Sequence, residues 1–243
     1  MIADAETAGF IAPMQLNSPA RNVSLFWCSL AAADDTSAFV VEWLSAAERA
    51  RMQRFGSETL RKRYIIGRAS LRWLLAQALG LSPVSVAIER GANGRPQLAE
   101  RNGIDFNVSH TADVALIGMA HGARVGVDVE RDDRVIQANG LARRILTGRE
   151  IADLPADGDA LRRRILRLWT CKEALSKATG DAMGAPFRRL DVTVEPALAL
   201  AGGPPPYDAR DFALLTATVP DGYLGTVALW HPRNAADANW PLG

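Results

Sequence analysis

Residues 124–130 read Arg-Val-Gly-Val-Asp-Val-Glu. The alternation in this stretch predicts a β-strand with one apolar and one acidic face. Side chains alternate along a β-strand, so the three valines should share one face, and Asp128 and Glu130 the other. Two carboxylates at positions i and i+2 repel each other unless a cation lies between them. Their oxygens select hard cations, with Mg²⁺ favoured when phosphate oxygens and water complete the octahedron. The alternative is an edge strand with a solvated acidic face.

The composition is that of a globular protein without a strong overall charge. The 243 residues are 48% hydrophobic and carry a formal net charge of +1, so any anion site must be a local cluster. Two cysteines, Cys28 and Cys171, are too few for a disulfide scaffold. The acidic first residues do not resemble a secretory signal, and apolar runs are too short for a membrane span. We expect a cytoplasmic monomer that binds neither nucleic acid nor membrane.

Periodicity and capping signals predict two similar sets of elements, with irregular ends before about residue 22 and after about residue 233. Strands are predicted over 23–30, 84–89, 104–108, 114–120, 124–130, 190–195, 212–219 and 223–230. Helices are predicted over 45–54, 59–79, 141–146 and 159–179, with a polar loop at 109–113 and a connector at 196–206. The repeated order predicts an α+β fold of two similar α/β subdomains, residues 1–122 and 123–243, related by a pseudo-two-fold axis. A cleft between two such halves is a favoured ligand site.

A second polar pattern lies on the predicted helix over 159–179. Trp169, Glu173 and Lys177 are spaced four residues apart and therefore share one helix face. One interpretation is a surface Glu–Lys pair beside a half-buried tryptophan. The other makes Glu173 a third metal carboxylate and Lys177 a partner for phosphate.

Two further segments could bind phosphate. Ser109 and His110 follow Asn107 at the end of a predicted strand, where they could donate hydrogen bonds to an anion. Arg90 and Arg95 flank a glycine-rich turn, whose exposed N–H groups could help to cradle a phosphate. Most other arginines of the first half are expected to lie on solvated helix faces.

Five segments, in this order along the chain, resemble the 4′-phosphopantetheinyl transferase superfamily in its larger pseudo-dimeric, surfactin-synthetase-activating type. They extend over more than half of the chain, and the pairing of G-x-D-x-E with W-x-x-K-E-A-x-x-K is the most specific part. The segments are Tyr64–Arg72, Gly94-Arg95-Pro96, Phe106-Asn107-Val108-Ser109-His110, Gly126-Val127-Asp128-Val129-Glu130 and Trp169–Lys177.

The resemblance implies a role for each matching residue. Asp128, Glu130 and Glu173 would hold Mg²⁺, for which Mn²⁺ could substitute, in the second subdomain. Glu173 and Lys177 would be catalytic, and the first subdomain would bind the 3′-phosphate and adenine of coenzyme A. The residues expected to contact coenzyme A are Arg51, Arg90, Arg95, Asn107, Ser109, His110 and Lys177. Glu48 stands where some members carry a second phosphate-binding lysine.

The implied reaction moves the phosphopantetheine arm of coenzyme A to a serine of an apo acyl carrier or peptidyl carrier protein. The products are the holo-carrier protein and adenosine 3′,5′-bisphosphate. The fatty-acid, polyketide, peptide and siderophore pathways all remain open. Two other functions are possible: a non-catalytic binding module for coenzyme A or a carrier protein, and a Mg²⁺-dependent pyrophosphohydrolase.

Overall fold

The computed structural model describes residues 10–31, 38–100 and 102–233, and shows an α+β fold. The first set of elements is β1 (Met14–Leu16), β2 (Val23–Ser29), α1 (Ala38–Glu42), α2 (Ala46–Met52), α3 (Glu58–Leu79), β3 (Ile88–Arg90), β4 (Pro96–Leu98), β5 (Ile104–Thr111) and β6 (Val114–His121). The second set is β7 (Arg124–Arg131), α4 (Ala138–Ile145), α5 (Gly148–Ala152), α6 (Gly158–Thr179), β8 (Asp191–Thr193), β9 (Ala199–Gly202), β10 (Phe212–Ala217) and β11 (Tyr223–Trp230).

Two antiparallel sheets, each with one long helix, form the body of the protein. The first sheet has the order β1-β2-β6-β5, and the second has the order β10-β11-β7. Helix α3 packs on the first sheet, where Leu71 and Leu75 lie in one cluster with Phe106 and Ile117. Helix α6 packs on the second sheet, against β7 and β11. This arrangement of two sheet-and-helix halves confirms the predicted α+β fold class.

The three valines of β7 join the two halves through a shared core. Val125, Val127 and Val129 are buried with Leu25 of β2 and Leu116 of β6. The prediction that the three valines share one strand face is therefore confirmed. Because that core includes strands of the first sheet, the two sheets pack on one another.

The structure contains the helix caps from which the helix boundaries were predicted. The Ser45 hydroxyl accepts the N–H of Glu48 at 3.2 Å, and the Glu48 carboxylate accepts the N–H of Ser45 at 2.9 Å. Gly80 and Gly180 end the two long helices in the left-handed conformation, which glycine adopts readily. No helix among the described residues is long and apolar enough to cross a membrane.

The predicted polar loop over 109–113 is wrong. Strand β5 continues to Thr111 and pairs with β6 as far as Val114, so Ser109 and His110 belong to a strand. The hairpin then turns through only two residues, and Ala112 has a positive φ of 47°. Strand pairing with β6 outweighs the polar character of this segment, which suggested a loop.

Other boundaries also differ from the sequence predictions. Met14–Leu16 pairs with β2 although the start was expected to be irregular, whereas the end after residue 233 lies outside the described residues. The predicted connector over 196–206 contains β9, because Ala199–Gly202 pairs with β8. The strand predicted over 84–89 starts only at Ile88, after a 3-10 turn at Pro83–Ser85.

Gly126 allows α6 to lie directly against β7. It shares the strand face of Asp128, and a Cβ here would meet the carbonyl oxygen of Ala174 and come within 2.6 Å of the Ala178 nitrogen. The missing side chain therefore sets the distance between β7 and α6. This distance in turn places Glu173 and Lys177 of α6 over the carboxylates of β7.

We expect Gly126→Ala to lower the free energy of unfolding by about 1–3 kcal/mol or more, because backbone atoms of α6 must move. The control is Gly148→Ala, since a Cβ at Gly148 would have no atom within 4 Å. Denaturant unfolding of both variants measures the difference. Equal stability of the two variants would contradict the close packing of α6 on β7.

Candidate active site

Three side chains of β5 cover the edge of β7 that has no neighbouring strand. Each accepts a backbone N–H group of β7 from a residue twenty positions later in the chain, so the two strands run in the same direction. The N–H groups of Val125, Val127 and Val129 donate to Asp105 at 2.7 Å, Asn107 at 3.0 Å and Ser109 at 3.3 Å. We call this set of contacts the seam; it joins the two halves by side chains instead of a strand ladder.

Arg95 completes the seam from inside the protein. Its guanidinium makes two hydrogen bonds to the Asp105 carboxylate, at 2.8 and 2.7 Å, and the side chain is 5% exposed. It also donates to the carbonyl oxygens of Val125 at 2.6 Å, Phe106 at 3.1 Å and Lys177 at 2.8 Å. These bonds engage both terminal nitrogens and Nε, so the placement favours a structural role for Arg95 over the expected contact with coenzyme A.

Lys177 lies at the junction of the seam and the acidic face of β7. Its Nζ donates to Asp128 Oδ1 at 2.7 Å, to Ser109 Oγ at 2.9 Å and to the Val127 carbonyl at 3.2 Å. Ser109 Oγ in turn donates to Asp128 Oδ1 at 2.7 Å. The structure therefore brings together one residue from each of three of the four predicted polar segments.

Glu173 stands one helical turn before Lys177 and belongs to the same polar group. The residue is 9% exposed, and its Oε1 is buried without a hydrogen-bond partner among the described residues. Burial raises the pKa of Glu173 to about 7; Lys177 opposes the rise, and the carboxylates of Asp128 and Glu130 add to it. A carboxyl group with this pKa can accept or release a proton near neutral pH.

Glu130 lies on the same face of β7 but has its own partners. Arg134 forms an ion pair with one carboxylate oxygen, and Thr111 donates to the other at 3.1 Å. Burial raises the pKa of Glu130, Arg134 opposes the rise, and the charge of Asp128 adds to it. Asp128 and Glu130 are only 5% and 8% exposed, so the alternative of a solvated acidic face is wrong.

The donor set suits a hard cation, although the carboxylates are not gathered into a metal centre in this conformation. Among the described residues, no group of three or more His, Cys, Asp or Glu side chains is arranged to hold a metal ion. However, Asp128 Oδ2 and Glu173 Oε1 are both buried without a partner. The charges of Asp128 and Glu130 help to raise the pKa of Glu173, and carboxylate oxygens are the ligands that Mg²⁺ prefers. The residues therefore fit the expected ion.

Lys172, next to Glu173, points the opposite way and anchors α6. Its Nζ lies 2.6 Å from the Glu150 carboxylate and donates to the carbonyl oxygens of Ile145 and Phe187, both at 2.8 Å. The side chain is fully buried, which lowers its pKa, while Glu150 opposes the change. This pair fixes the rotation of α6, and hence the side of the helix that presents Glu173.

A basic cavity of about 630 Å³ lies in the first half, between α2, α3 and the β3–β4 hairpin. Its charged lining residues are Arg51, Arg54, Arg68, Arg90, Glu48 and Glu89. The structure therefore brings the predicted residues Arg51 and Arg90 together at one cavity. His110 is exposed on β5 and is not among the residues that line this cavity.

Two residues of the site were missed in the sequence. Asp105 precedes Asn107 and Ser109 at the same two-residue spacing, so this polar stripe was a signal that one strand face meets polar groups. Arg134 lies beyond the end of β7 and forms an ion pair with Glu130. Nothing in the sequence indicates this pair except that the two residues are four positions apart.

Comparison with known proteins gives two family profiles that match different parts of the chain. The profile described as 4′-phosphopantetheinyl transferase, N-terminal, matches residues 31–121. The profile described as the 4′-phosphopantetheinyl transferase superfamily matches residues 124–218. Together they cover most of the sequence, including the seam, the acidic strand and α6.

Curated relatives agree with the profiles. The 4′-phosphopantetheinyl transferase HetI of Nostoc sp. is 34% identical over 157 residues, which are 63% of this chain and 66% of that protein. A phosphopantetheinyl transferase of Thraustochytrium sp. is 29% identical over 226 residues, which are 84% and 76% of the two chains. The human L-aminoadipate-semialdehyde dehydrogenase-phosphopantetheinyl transferase is 25% identical over 173 residues, which are 64% and 56%. The matched segment thus spans less than two thirds of the Nostoc relative.

The fold and the site define a two-part α+β protein whose halves meet at buried carboxylates and a lysine. The chain belongs to the 4′-phosphopantetheinyl transferase superfamily, of the larger type with two subdomain-sized parts. This is a family of transferases, so the resemblance noted in the sequence is confirmed at the level of the family.

We expect Arg95→Met to lower the free energy of unfolding by about 3–5 kcal/mol, because it leaves the buried Asp105 carboxylate without its charge partner. Arg90→Met is the control for stability alone, since Arg90 is exposed and, among the described residues, bonds only the Gly94 carbonyl of its own turn. Chemical denaturation and coenzyme A binding are measured for both variants. Weaker binding by Arg95→Met at unchanged stability would instead show that Arg95 contacts the ligand.

Proposed function

We propose that the protein transfers the 4′-phosphopantetheine arm of coenzyme A to a serine of an apo acyl carrier or peptidyl carrier protein. One observation carries the proposal: buried Glu173, with a pKa near 7, stands beside Asp128 and Lys177. Family membership supports the reaction class, and the cavity lined by arginines supports a phosphate-bearing substrate. The products are the holo-carrier protein and adenosine 3′,5′-bisphosphate.

In the proposed reaction the serine Oγ of the carrier attacks the β-phosphorus of coenzyme A. A new P–O bond forms, and the bond to the bridging oxygen of the pyrophosphate breaks. A serine hydroxyl is a weak nucleophile unless a base accepts its proton, and we assign this role to Glu173. Without a bound ion, burial raises the pKa of Glu173, which makes it a stronger base than an exposed carboxylate. A water molecule that relays the proton from the serine to Glu173 would be the alternative route.

Asp128, Glu130 and Glu173 would hold Mg²⁺, or Mn²⁺ in its place. The bound ion would neutralise the pyrophosphate and stabilise the leaving phosphate. Lys177 would add positive charge at the pyrophosphate, and its Nζ would then exchange part of its contact with Asp128 for a phosphate oxygen. Ser109, which donates to Asp128, keeps that carboxylate oriented.

We assign the 3′-phosphate of coenzyme A to the basic cavity, through Arg51 and Arg90. The guanidinium of Arg51 lies 5.8 Å from the centroid of the Tyr64 ring, which holds it at the cavity wall. His110, exposed on β5, is proposed to approach the same phosphate. Asn107 and Ser109 act through the seam in the free protein, so direct contact of either with coenzyme A would require that they exchange partners.

The finer features of the sequence prediction remain proposals. We expect the boundary between the subdomains at residues 122 and 123, and a cytoplasmic monomer that binds neither nucleic acid nor membrane. The native carrier is open among fatty-acid, polyketide, peptide and siderophore pathways. Mass spectrometry on a panel of apo-carrier proteins would identify it.

Incubation with coenzyme A, Mg²⁺ and an apo-carrier protein should add the mass of the phosphopantetheine arm to the carrier. Excess chelator should abolish the transfer, and Mn²⁺ should restore it, because the carboxylates need a hard cation. Mass spectrometry of the carrier and chromatography of the nucleotide report the two products. Cleavage of coenzyme A without transfer would favour a pyrophosphohydrolase, binding without change would favour a binding module, and full turnover in chelator would exclude the metal.

Replacement of Glu173 separates its metal and base roles. Glu173→Gln keeps the size and one oxygen but removes the charge, so we expect the rate to stay about 10²–10⁴-fold lower at saturating Mg²⁺. Coenzyme A affinity should fall only modestly, because Asp128 and Glu130 remain. The measurement is a Mg²⁺ titration of the transfer rate, with binding measured separately. Near-complete rescue by Mg²⁺ would refute the base role.

A further inference from the structure

The turn that follows β7 places an arginine on one of the expected metal carboxylates. The N–H of Arg134 donates to the carbonyl oxygen of Arg131 at 3.2 Å, so residues 131–134 form a turn. The guanidinium of Arg134 forms an ion pair with Oε1 of Glu130. Thr111 donates to the other carboxylate oxygen at 3.1 Å. Both oxygens of Glu130 therefore have a partner within the chain.

Contacts from two neighbouring elements hold this turn. The N–H of Asp132 donates at 2.9 Å to the carbonyl oxygen of Gly222, in the β10–β11 hairpin. Two arginines of α6 bind the same residue. Arg162 Nε donates to the Asp132 carbonyl at 3.2 Å, and Arg163 pairs with the Asp132 carboxylate at 2.8 Å. The backbone of the turn is therefore anchored independently of the contact between Arg134 and its carboxylate.

The two members of the ion pair differ in how firmly they are held. The side chain of Arg134 is 48% exposed, and among the described residues it has no other hydrogen bond or ion pair. The side chain of Glu130 is only 11% exposed. An exposed guanidinium that leaves its partner is solvated by water, whereas a buried carboxylate that loses its partner keeps an uncompensated charge. Arg134 can therefore leave this contact at small cost, but Glu130 then needs another cation.

Cations of the chain already offset most of the negative charge around this carboxylate. Lys177 Nζ lies 2.7 Å from Oδ1 of Asp128, and Arg134 pairs with Glu130. Glu173 is the third carboxylate of the group, and its Oε1 has no partner among the described residues. Three carboxylates against two cations leave at most one negative charge. A divalent ion that binds this group therefore has to compete with a cation that the protein itself supplies.

We propose that Arg134 is the resident counter-ion of Glu130, and that it competes with a divalent cation for this carboxylate. The assignment rests on the proposed function, because it takes Glu130 as a ligand of Mg²⁺. A molecule in which Arg134 holds Glu130 cannot offer the complete set of carboxylates. The apparent affinity for the ion is therefore reduced by the fraction of molecules in which Glu130 is free. Arg134 thus compensates the buried carboxylate when the ion is absent, and sets how tightly the protein alone holds the ion.

The test measures Mn²⁺ binding, without coenzyme A or a carrier protein, from the electron paramagnetic resonance signal of free Mn²⁺. Arg134→Gln should bind Mn²⁺ roughly tenfold more tightly than the unchanged protein, the gain expected if Arg134 occupies Glu130 in about nine molecules of ten. Arg134→Lys keeps the charge and should gain less. For the same reason, Mn²⁺ should raise the unfolding temperature of Arg134→Gln more than that of the unchanged protein.

Arg131→Gln is the matched control for charge. Arg131 lies in the same turn, its side chain is 50% exposed, and it pairs with Asp133 at 2.5 Å. The substitution removes one positive charge from the turn but leaves the pair of Arg134 and Glu130 in place. Because exposed charges are screened by salt, the Mn²⁺ affinity should change by less than about twofold at physiological ionic strength. Circular dichroism of each variant reports whether the fold is intact.

Equal Mn²⁺ affinities of the two glutamine variants would overturn the assignment, because only the charge of the turn would then matter. Weaker binding by a folded Arg134→Gln variant would also overturn it, since Arg134 would then support the ion instead of competing with it. No Mn²⁺ binding by any variant would contradict both this assignment and the metal site of the proposed function. Tighter binding by Arg134→Gln in a protein that transfers nothing to a carrier would support the assignment and contradict the proposed reaction alone.

Discussion

The site depends on how the free edge of β7 is covered. Three side chains of β5 accept its N–H groups, while Arg95 and Lys177 donate to its carbonyl oxygens. A buried backbone N–H or C=O group without a hydrogen-bond partner costs free energy. The groups along a strand edge that lies inside the protein therefore need hydrogen-bond donors or acceptors from elsewhere. Here side chains replace a strand ladder. They join the two sheets and leave the acidic face of β7 directed towards α6.

The second constraint is the position of α6. Gly126 allows the helix to approach β7, and the buried Lys172–Glu150 pair holds its other side. Glu173 and Lys177 are thereby held against Asp128 in a place that water reaches poorly. Burial and the neighbouring carboxylates raise the pKa of Glu173, and this is the property that a base for a serine hydroxyl needs.

The two halves carry opposite chemical characters. The first half offers a cavity lined by arginines, and the second half supplies the carboxylates of β7 and α6. This division suits a substrate with a phosphate monoester at one place and a pyrophosphate at another. Guanidinium groups can bind the monoester directly, whereas carboxylates can hold a pyrophosphate only through a cation. Glu48 also lies in the arginine cavity, but its carboxylate pairs with Arg68 and Arg72.

The sequence by itself determined the long helices and the faces of β7 and α6. Alternation placed the valines and carboxylates of β7 on opposite sides, and four-residue spacing placed Glu173 and Lys177 together, because strand and helix periods are local properties. It did not determine which polar groups are partners. Arg95 bonds the carbonyl oxygen of Lys177, 82 residues away, and was expected to face a ligand. Only the tertiary structure shows which groups Arg95 bonds, since such pairings arise when segments that are distant in the sequence pack together.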